Sequence, residues 1–387
     1  MSTNSRQHEQ INMKIVLFRN YKEESQLSMK GYGDCISKKL KEKYPQWDII
    51  DFYPRIIGRR DTYKSKDFQK IIDFINRYIY YPMQIKNIKA DVYHIIDHGN
   101  ALFMKKIPSE RTIITCHDLI PMYIDRGYFK KIKKPPFGLS VFKHSLSFFK
   151  KARYIFADSN NTMKDIIEVA KVREDKIITI PLAPFYPFKK NSSEKRAVYC
   201  KKFNLEGDKL VILNVGAPIF YKNVDGLLRT LYSLPARING KEWIFYHIGP
   251  PYSAAQLSGA SSDFINNHLR QPGVVGFEEL EFFYNVADVL FFPSLYEGFG
   301  MPVLEAMTTG LPVITTSVAS LVEVGGDAVL YVNPHEIQDM ATTLIELLSN
   351  MQLRKDLIEK GLKRSQLFNW DTSIDKMSIY YQATAES

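Results

Sequence analysis

Residues 288–316, DVLFFPSLYEGFGMPVLEAMTTGLPVITT, constrain the fold more than any other stretch of the chain. Asp288 to Phe292 is an apolar run too short for a helix and is ended by Pro293-Ser294, which makes it a buried strand. The loop Leu295 to Gly300 follows, and its Gly298 and Gly300 let a ligand approach the backbone closely. Pro302 falls in the first turn of a helix, where its missing N–H is tolerated. Val303, Leu304, Ala306 and Met307 give that helix an apolar face, and Gly310 stops it. Pro312 to Thr316 is the next strand. Strand, loop, helix, strand is a βαβ unit, and such units seat ligands at the carboxyl end of the strand. Backbone N–H groups and the positive end of the helix dipole favour phosphate there.

Two carboxylates frame this seat: Glu297 in the loop, and Glu305 eight positions later in the helix. Carboxylates accept hydrogen bonds, so a pair can hold hydroxyls on either side of a phosphate. A nucleotide-sugar, with a sugar at one end and a ribose at the other, fits that chemistry. Singly, Glu305 can merely favour the helix dipole and Glu297 can be a solvated loop residue. Together, around one glycine turn and a Pro-initiated helix, they point to a ligand.

The run SLYEGFGMPVLEAMTTGLPVITT closely resembles the E-x7-E signature of GT4-type retaining glycosyltransferases, and the similarity continues through SVASLVEVGGDAVLYVNP, residues 317–334. Elsewhere the match is looser but in the same order over nearly the whole chain. The resemblance implies an α/β chain of GT-B fold, two Rossmann-like domains with parallel sheets facing each other across a cleft. It implies a nucleoside-diphosphate sugar as substrate, GDP-mannose or a UDP-sugar, with no other cofactor and no metal. Glu305 would hold the ribose. Glu297 and the N–H groups of Gly298, Phe299, Gly300 and Met301 would hold the sugar and diphosphate.

The first half alternates strands and helices. Strands are expected at Met13–Phe18, Trp47–Ile50, Ala90–Ile96, Arg111–Cys116, Tyr154–Ser159 and 176–183, with an amphipathic helix over 71–87 running into Pro82. Gly31 and Gly33 read as a turn before a helix, and by resemblance their loop faces the donor diphosphate. Asp97-His98-Gly99-Asn100 is a polar break. His117 lies just past a strand's carboxyl end, within HDL-x-P. Such a histidine often serves packing, but the resemblance implies contact with the transferring sugar. Asp118 can orient His117 or cap the next helix. Ser159 and Asn160 are cap-like and can also line the cleft.

The second half restarts at Leu210–Val215. The loop GAPIFYKN follows, with Gly216, Lys222 and Asn223 leading into a helix. Lys222 matches the family's phosphate-binding lysine, whose ammonium neutralises charge growing on a departing diphosphate. Ala217 stands where many relatives carry an Arg, which shifts that task further onto Lys222. Trp243–Ile248 is the next strand. Val274-Val275-Gly276-Phe277, with Leu280, resembles the base-binding loop. Helices are expected over 281–287 and Asp339–Leu348, and a final one opens at Trp370.

Charge is uneven. Residues 1–190 hold 36 Lys and Arg against 20 Asp and Glu, a net +16, while the remainder holds 16 against 22, a net −6. A basic half suits an anionic partner. The stretch 128–151 sets Lys130, Lys131, Lys133 and Lys134 beside Tyr128, Phe129 and Phe137. It then places Leu139, Phe142, Leu146 and Phe149 at helical spacing. This is either a core helix with a basic face or a contact with an anionic membrane surface. No nucleic-acid motif is present, so nucleic acid is not an expected partner. Cys35, Cys116 and Cys200 fit no metal or redox motif, no apolar run approaches the ~18 residues a membrane helix needs, and the polar first dozen residues do not read as a secretory signal. A cytoplasmic protein, peripheral on the membrane's inner face at most, is expected.

The expected organisation is a disordered extension over 1–12, an acceptor-binding domain over 13–190, a donor-binding domain over 191–370, and a C-terminal helix over 371–387 packing back on the first domain. The function implied is retaining transfer of a hexose, mannose first, to a glycan or lipid-linked acceptor in envelope polysaccharide or glycoconjugate synthesis. The alternative is a GT-B-shaped nucleotide-sugar-binding or scaffold protein without turnover. On the sequence alone, Glu305→Ala and Lys222→Ala should each cut turnover at least ~10-fold and leave stability within ~1 kcal/mol.

Overall fold

The computed structural model describes residues 12–21, 27–57, 66–85, 87–128, 136–202 and 209–387. The chain divides into two compact units, one holding the chain up to Pro181 together with Trp370–Ser387, the other Leu182–Asn369.

The first unit is a six-stranded parallel sheet in the order β2-β1-β3-β4-β5-β6. Its strands are β1 (Lys14–Phe18), β2 (Asp48–Phe52), β3 (Val92–Ile95), β4 (Thr112–Cys116), β5 (Tyr154–Ala157) and β6 (Ile177–Thr179). The middle strands β3 and β4 are buried along their whole length, as expected of parallel strands covered on both faces. Because β1 pairs with both β2 and β3, the strand order reverses between β1 and β3. A crevice opens at the carboxyl ends of strands at such a point.

The second unit repeats the plan in the order β12-β11-β10-β7-β8-β9. Its strands are β7 (Leu210–Val215), β8 (Trp243–Ile248), β9 (Leu269–Gly273), β10 (Val289–Phe292), β11 (Val313–Thr316) and β12 (Leu330–Val332). Here the order reverses between β7 and β10, which pair at Val289 with Ile212 and at Leu290 with Leu213. Asn214 reinforces that seam by donating to the Phe291 carbonyl at 2.9 Å.

Several sequence expectations change. Gly31 and Gly33 are not in a turn but inside the helix Leu27–Lys43. Tertiary packing overrides the usual helix penalty of glycine: a Cβ on Gly33 would run into the Arg19 guanidinium and the Ile96 side chain. The helix expected to run into Pro82 continues past it to Gln84, with Pro82 in the first turn of the last segment. Edge strand β9 was not foreseen, since LRQPG lacks an apolar pattern and holds a proline, which only an edge tolerates. The helix Met351–Ser365 was also missed; Leu357, Gly361 and Ser365 are its only buried residues, too few for a clear stripe. Leu182–Lys190 goes with the second unit rather than the first. Phe188 is buried there, with its ring 5.6 Å from Tyr284, and Asn285 Nδ2 donates to the Lys189 carbonyl at 3.0 Å.

The helix Trp370–Ala385 lies within the first unit. Tyr381 is fully buried, its hydroxyl 2.7 Å from His94 Nδ1, and Asp371 and Asp375 meet Lys39 and Lys43. In the helix Pro136–Leu146 and the turn after it, Leu139, Leu146, Phe148 and Phe149 enter the first unit's core. Lys143 pairs with Asp125 at 2.7 Å. The apolar stripe expected over 128–151 is therefore core, while Phe129 to Lys134 lie outside the described residues, as does the extension apart from Asn12. Among the described residues no helix is long and apolar enough to cross a membrane.

Candidate functional site

The second unit's reversal point carries the strongest cluster. Two loops leave the carboxyl ends of β7 and β10, and the Leu295 N–H on one donates to the Tyr221 carbonyl on the other at 2.7 Å. Lys222 Nζ then reaches Glu297 Oε1 at 2.7 Å and sits 4.7 Å from the centre of the Phe292 ring. Gly216 lies beside this lysine in a conformation that favours glycine. Its φ is +137°, while a Cβ there would sit at ordinary contact distance, 3.7 Å, from Lys222 Cε. Asn223 takes the left-handed conformation at φ +56°, which asparagine adopts more readily than most residues. Its Nδ2 donates to the Pro334 carbonyl at 2.8 Å, tying the lysine loop to the end of β12.

Glu297 is 7% exposed and Glu305 6%, so neither acid faces bulk solvent. The Glu297 carbonyl accepts from Ser320 Oγ at 2.9 Å, which fixes the loop from below. Gly300, at φ +104°, begins the helix Met301–Thr309, with Pro302 in its first turn and Gly310 in the left-handed region at its end. Phe299 is buried against the Phe368 ring, 5.8 Å between centres. Glu305 Oε2 accepts from the Tyr284 hydroxyl at 2.7 Å. Burial pushes the Glu305 carboxyl up to about 7, with the Tyr284 hydrogen bond opposing it. Tyr284 lies on the helix Phe277–Val286, so the segment singled out as base-binding is joined to Glu305 through it. Gly276 caps that helix in open space. Phe277 is 37% exposed and stacks on Tyr186 at 5.5 Å, while Leu280 is half-buried.

His117 belongs to the first unit and is locked. Its Nδ1 lies 2.7 Å from Asp158 Oδ2 and its Nε2 2.8 Å from the Ile96 carbonyl. Burial opposes charging the ring, but the Asp158 carboxylate and the Ile96 carbonyl outweigh it and raise its pKa to about 9. With both N–H groups committed, this imidazolium is a fixed cation and not a base. Asp118 takes the capping role: its Oδ1 accepts from the Ile120 N–H at 3.0 Å. Asp158 orients the ring, a partner the sequence reading missed in favour of its neighbours Ser159 and Asn160. The signal was present, as Asp158 directly follows a buried strand adjacent to the one that ends before His117. Ser159 caps the following helix by accepting from the Thr162 N–H at 3.0 Å.

A buried polar chain backs this histidine. Tyr381 reaches His94, His94 Nε2 reaches Thr115 Oγ1 at 2.8 Å, and Thr115 reaches the Tyr32 hydroxyl at 2.8 Å. The Tyr32 ring stands edge-on to His117, 4.8 Å between centres. Gly33, next to Tyr32, serves helix packing on Arg19 and so acts as scaffold for this chain.

Two Rossmann-like parallel units, each with a reversal point, define a GT-B fold. Solved structures agree with it. A sucrose-phosphate synthase from Thermosynechococcus elongatus superposes with a TM-score of 0.74 at 19% identity, covering 97% of this chain and all of its own. WaaG, a glycosyltransferase involved in lipopolysaccharide biosynthesis, gives 0.70 at 16% identity over 94% of this chain and 98% of its own. Residues 196–364 match the model of the glycosyl transferases group 1 family. Among curated proteins the chain is 28% identical over 299 residues to the serotype-specific mannosyltransferase WbdA of Escherichia coli, a match covering 74% of this chain and 36% of WbdA. The chain thus spans about a third of that relative's length. It is 25% identical over 340 residues to the O-antigen chain mannosyltransferase B of Escherichia coli, covering 84% of this chain and 85% of that protein.

Proposed function

We propose that the chain transfers a hexose, mannose as first candidate, from a nucleoside-diphosphate sugar to a glycan or lipid-linked acceptor in polysaccharide synthesis. The observation that carries this reading is the Lys222–Glu297 pair at the mouth of the helix Met301–Thr309. An ammonium has three donors; Glu297 takes one, and the others suit phosphate oxygens. Lys222 and the helix dipole then neutralise charge that grows on the departing diphosphate, the task a metal performs in other sites. Glu305, buried beside Tyr284, accepts ribose hydroxyls, and Glu297 accepts those of the sugar. Attack comes from the face the leaving group departs from, and the departing phosphate takes the acceptor proton, so the anomeric configuration is retained. Mannose as the sugar rests on the names of the two Escherichia coli relatives.

A thermal-shift screen of GDP-mannose, UDP-glucose and related nucleotide-sugars, followed by product analysis of the anomer formed, tests the reading. Stabilisation by one donor and a retained product are expected. Binding without transfer to any acceptor would leave a nucleotide-sugar-binding protein instead. Flotation with anionic liposomes tests whether the basic first half holds the enzyme at a membrane surface.

A further inference from the structure

The first unit has its own reversal point, between β1 and β3, and the segments leaving those two strands meet there. Asn20 Nδ2 donates to Asp97 Oδ2 at 2.8 Å, Asn100 Nδ2 donates to Asn20 Oδ1 at 2.7 Å, and Arg77 donates to both Asp97 and Asn100. Asp97 Oδ1 accepts from the Gly99 N–H at 2.8 Å. These groups satisfy one another. His98, in their midst, does not join them.

His98 is 8% exposed, and its buried Nδ1 has no hydrogen-bond partner. Buried polar atoms are paired as a rule, and an exception calls for a reason. The ring is wedged edge-on against Phe142 and Phe149, 5.5 and 6.4 Å between centres. Ser145 Oγ donates to its backbone carbonyl at 3.3 Å, so the residue is held from behind. Nδ1 looks toward Asp97 Oδ1 at 4.0 Å. A carboxylate there favours the proton on Nδ1 and leaves a lone pair on Nε2, which is not fully buried and makes no hydrogen bond to the described residues. Burial and the neighbouring His117 cation disfavour a charged ring, although Asp97 and Asp118 act the other way. The two histidines at this edge, 6.3 Å between ring centres, therefore differ: His117 is a spent double donor, and His98, whose ring burial keeps from charging, has one nitrogen without a hydrogen bond.

We infer that His98 is an acceptor-binding residue, whose Nε2 takes a hydrogen bond from a hydroxyl of the incoming sugar while Asp97 holds the ring's orientation. This rests on the glycosyl-transfer reading above and adds the side chain that meets the second substrate. A sugar hydroxyl suits the position because it donates to a neutral nitrogen with no change of charge in a largely buried setting.

The test uses the full chain with His98→Phe, which keeps a ring between Phe142 and Phe149 but offers no nitrogen, and His98→Gln, which restores a polar group near the Nε2 position. With GDP-mannose as donor and methyl α-mannoside as acceptor, His98→Phe should raise the acceptor KM about tenfold, the loss of one hydrogen bond. The donor KM should rise less, and His98→Gln should recover part of the loss. Equal acceptor KM values in the three folded proteins would overturn the assignment and leave glycosyl transfer standing. If the wild type transfers from neither GDP-mannose nor UDP-glucose, the functional reading fails, and His98 is then judged by ring 15N NMR of the wild type. Movement of its Nε2 resonance on titration with methyl α-mannoside supports a sugar-hydroxyl site, and a stationary resonance overturns it. The same spectrum decides if His98→Phe does not fold.

Discussion

Lys222 Nζ and Glu297 Oε1 lie 2.7 Å apart although 75 positions separate them in the chain. The contact exists because β7 and β10 are neighbours, so the loops that leave their carboxyl ends meet. With side chains 19% and 9% exposed, the pair is sheltered enough that losing one partner strands the other. Lys222→Ala and Glu297→Gln should each lower kcat/KM for transfer at least about tenfold. The Lys222→Ala, Glu297→Gln double variant should fall well short of the product of the two losses, because the groups act together. Full additivity in a steady-state double-mutant cycle would show that they work independently.

Glu305→Ala is expected to behave differently from the estimate made on sequence alone. Tyr284 is fully buried and donates only to Glu305, so removing the carboxylate leaves a buried hydroxyl unpaired. The cost in stability should be ~1–3 kcal/mol in denaturant unfolding, not within ~1 kcal/mol as expected for a solvated group. The Tyr284→Phe, Glu305→Leu double variant should regain part of it. No stability difference between wild type and Glu305→Ala would refute the buried pairing.

The same carboxyl gives a pH signature. Its pKa in the folded chain is raised from 4.5 to about 7, so between those values the native state binds more protons than the unfolded state. Its contribution to stability is full below about 4.5 and is lost as pH rises to about 7. The wild type minus Glu305→Gln difference in unfolding free energy should show that fall. If ionised Glu305 receives ribose hydroxyls, donor affinity should rise through the same window, as read by titration calorimetry.

His117 titrates with the opposite charge. Held at about 9 against an ordinary 6.5, it contributes stability that is full below about 6.5 and disappears as pH climbs through about 9. Asp158→Asn should bring the ring's pKa down, as followed by NMR of the ring protons. It should also destabilise the chain by ~3–5 kcal/mol, the loss typical of breaking a buried pair.

Gly33→Ala separates a helix scaffold from a ligand loop. Alanine would gain up to ~1 kcal/mol of helix propensity. Its Cβ, however, meets the Arg19 guanidinium and lies 2.7 Å from Ile96 Cδ1, and overpacking of this kind costs ~1–3 kcal/mol. Thermal melting should show net destabilisation. A stabilised variant would mean the helix is not packed there as described.

Much of the fold was readable because it is written locally. The β7 run LVILNV and the β8 run WIFYHI match their strands residue for residue, and Pro302 and Gly310 bound their helix as punctuation requires. Where the signal is weak, as at Pro272 in β9 or along the polar helix Met351–Ser365, neighbours supply what the residues do not.

The βαβ unit of residues 288–316 and its two acids are legible along the chain, since apolar period, glycine and proline act over a few residues. What those groups touch depends on packing between distant parts of the chain. Glu305 meets Tyr284 21 positions away and His117 meets Asp158 41 away, and Gly33 turned from loop to scaffold once Arg19 lay against it. Strand order and register bring such partners together, and neither is encoded in any short window of residues.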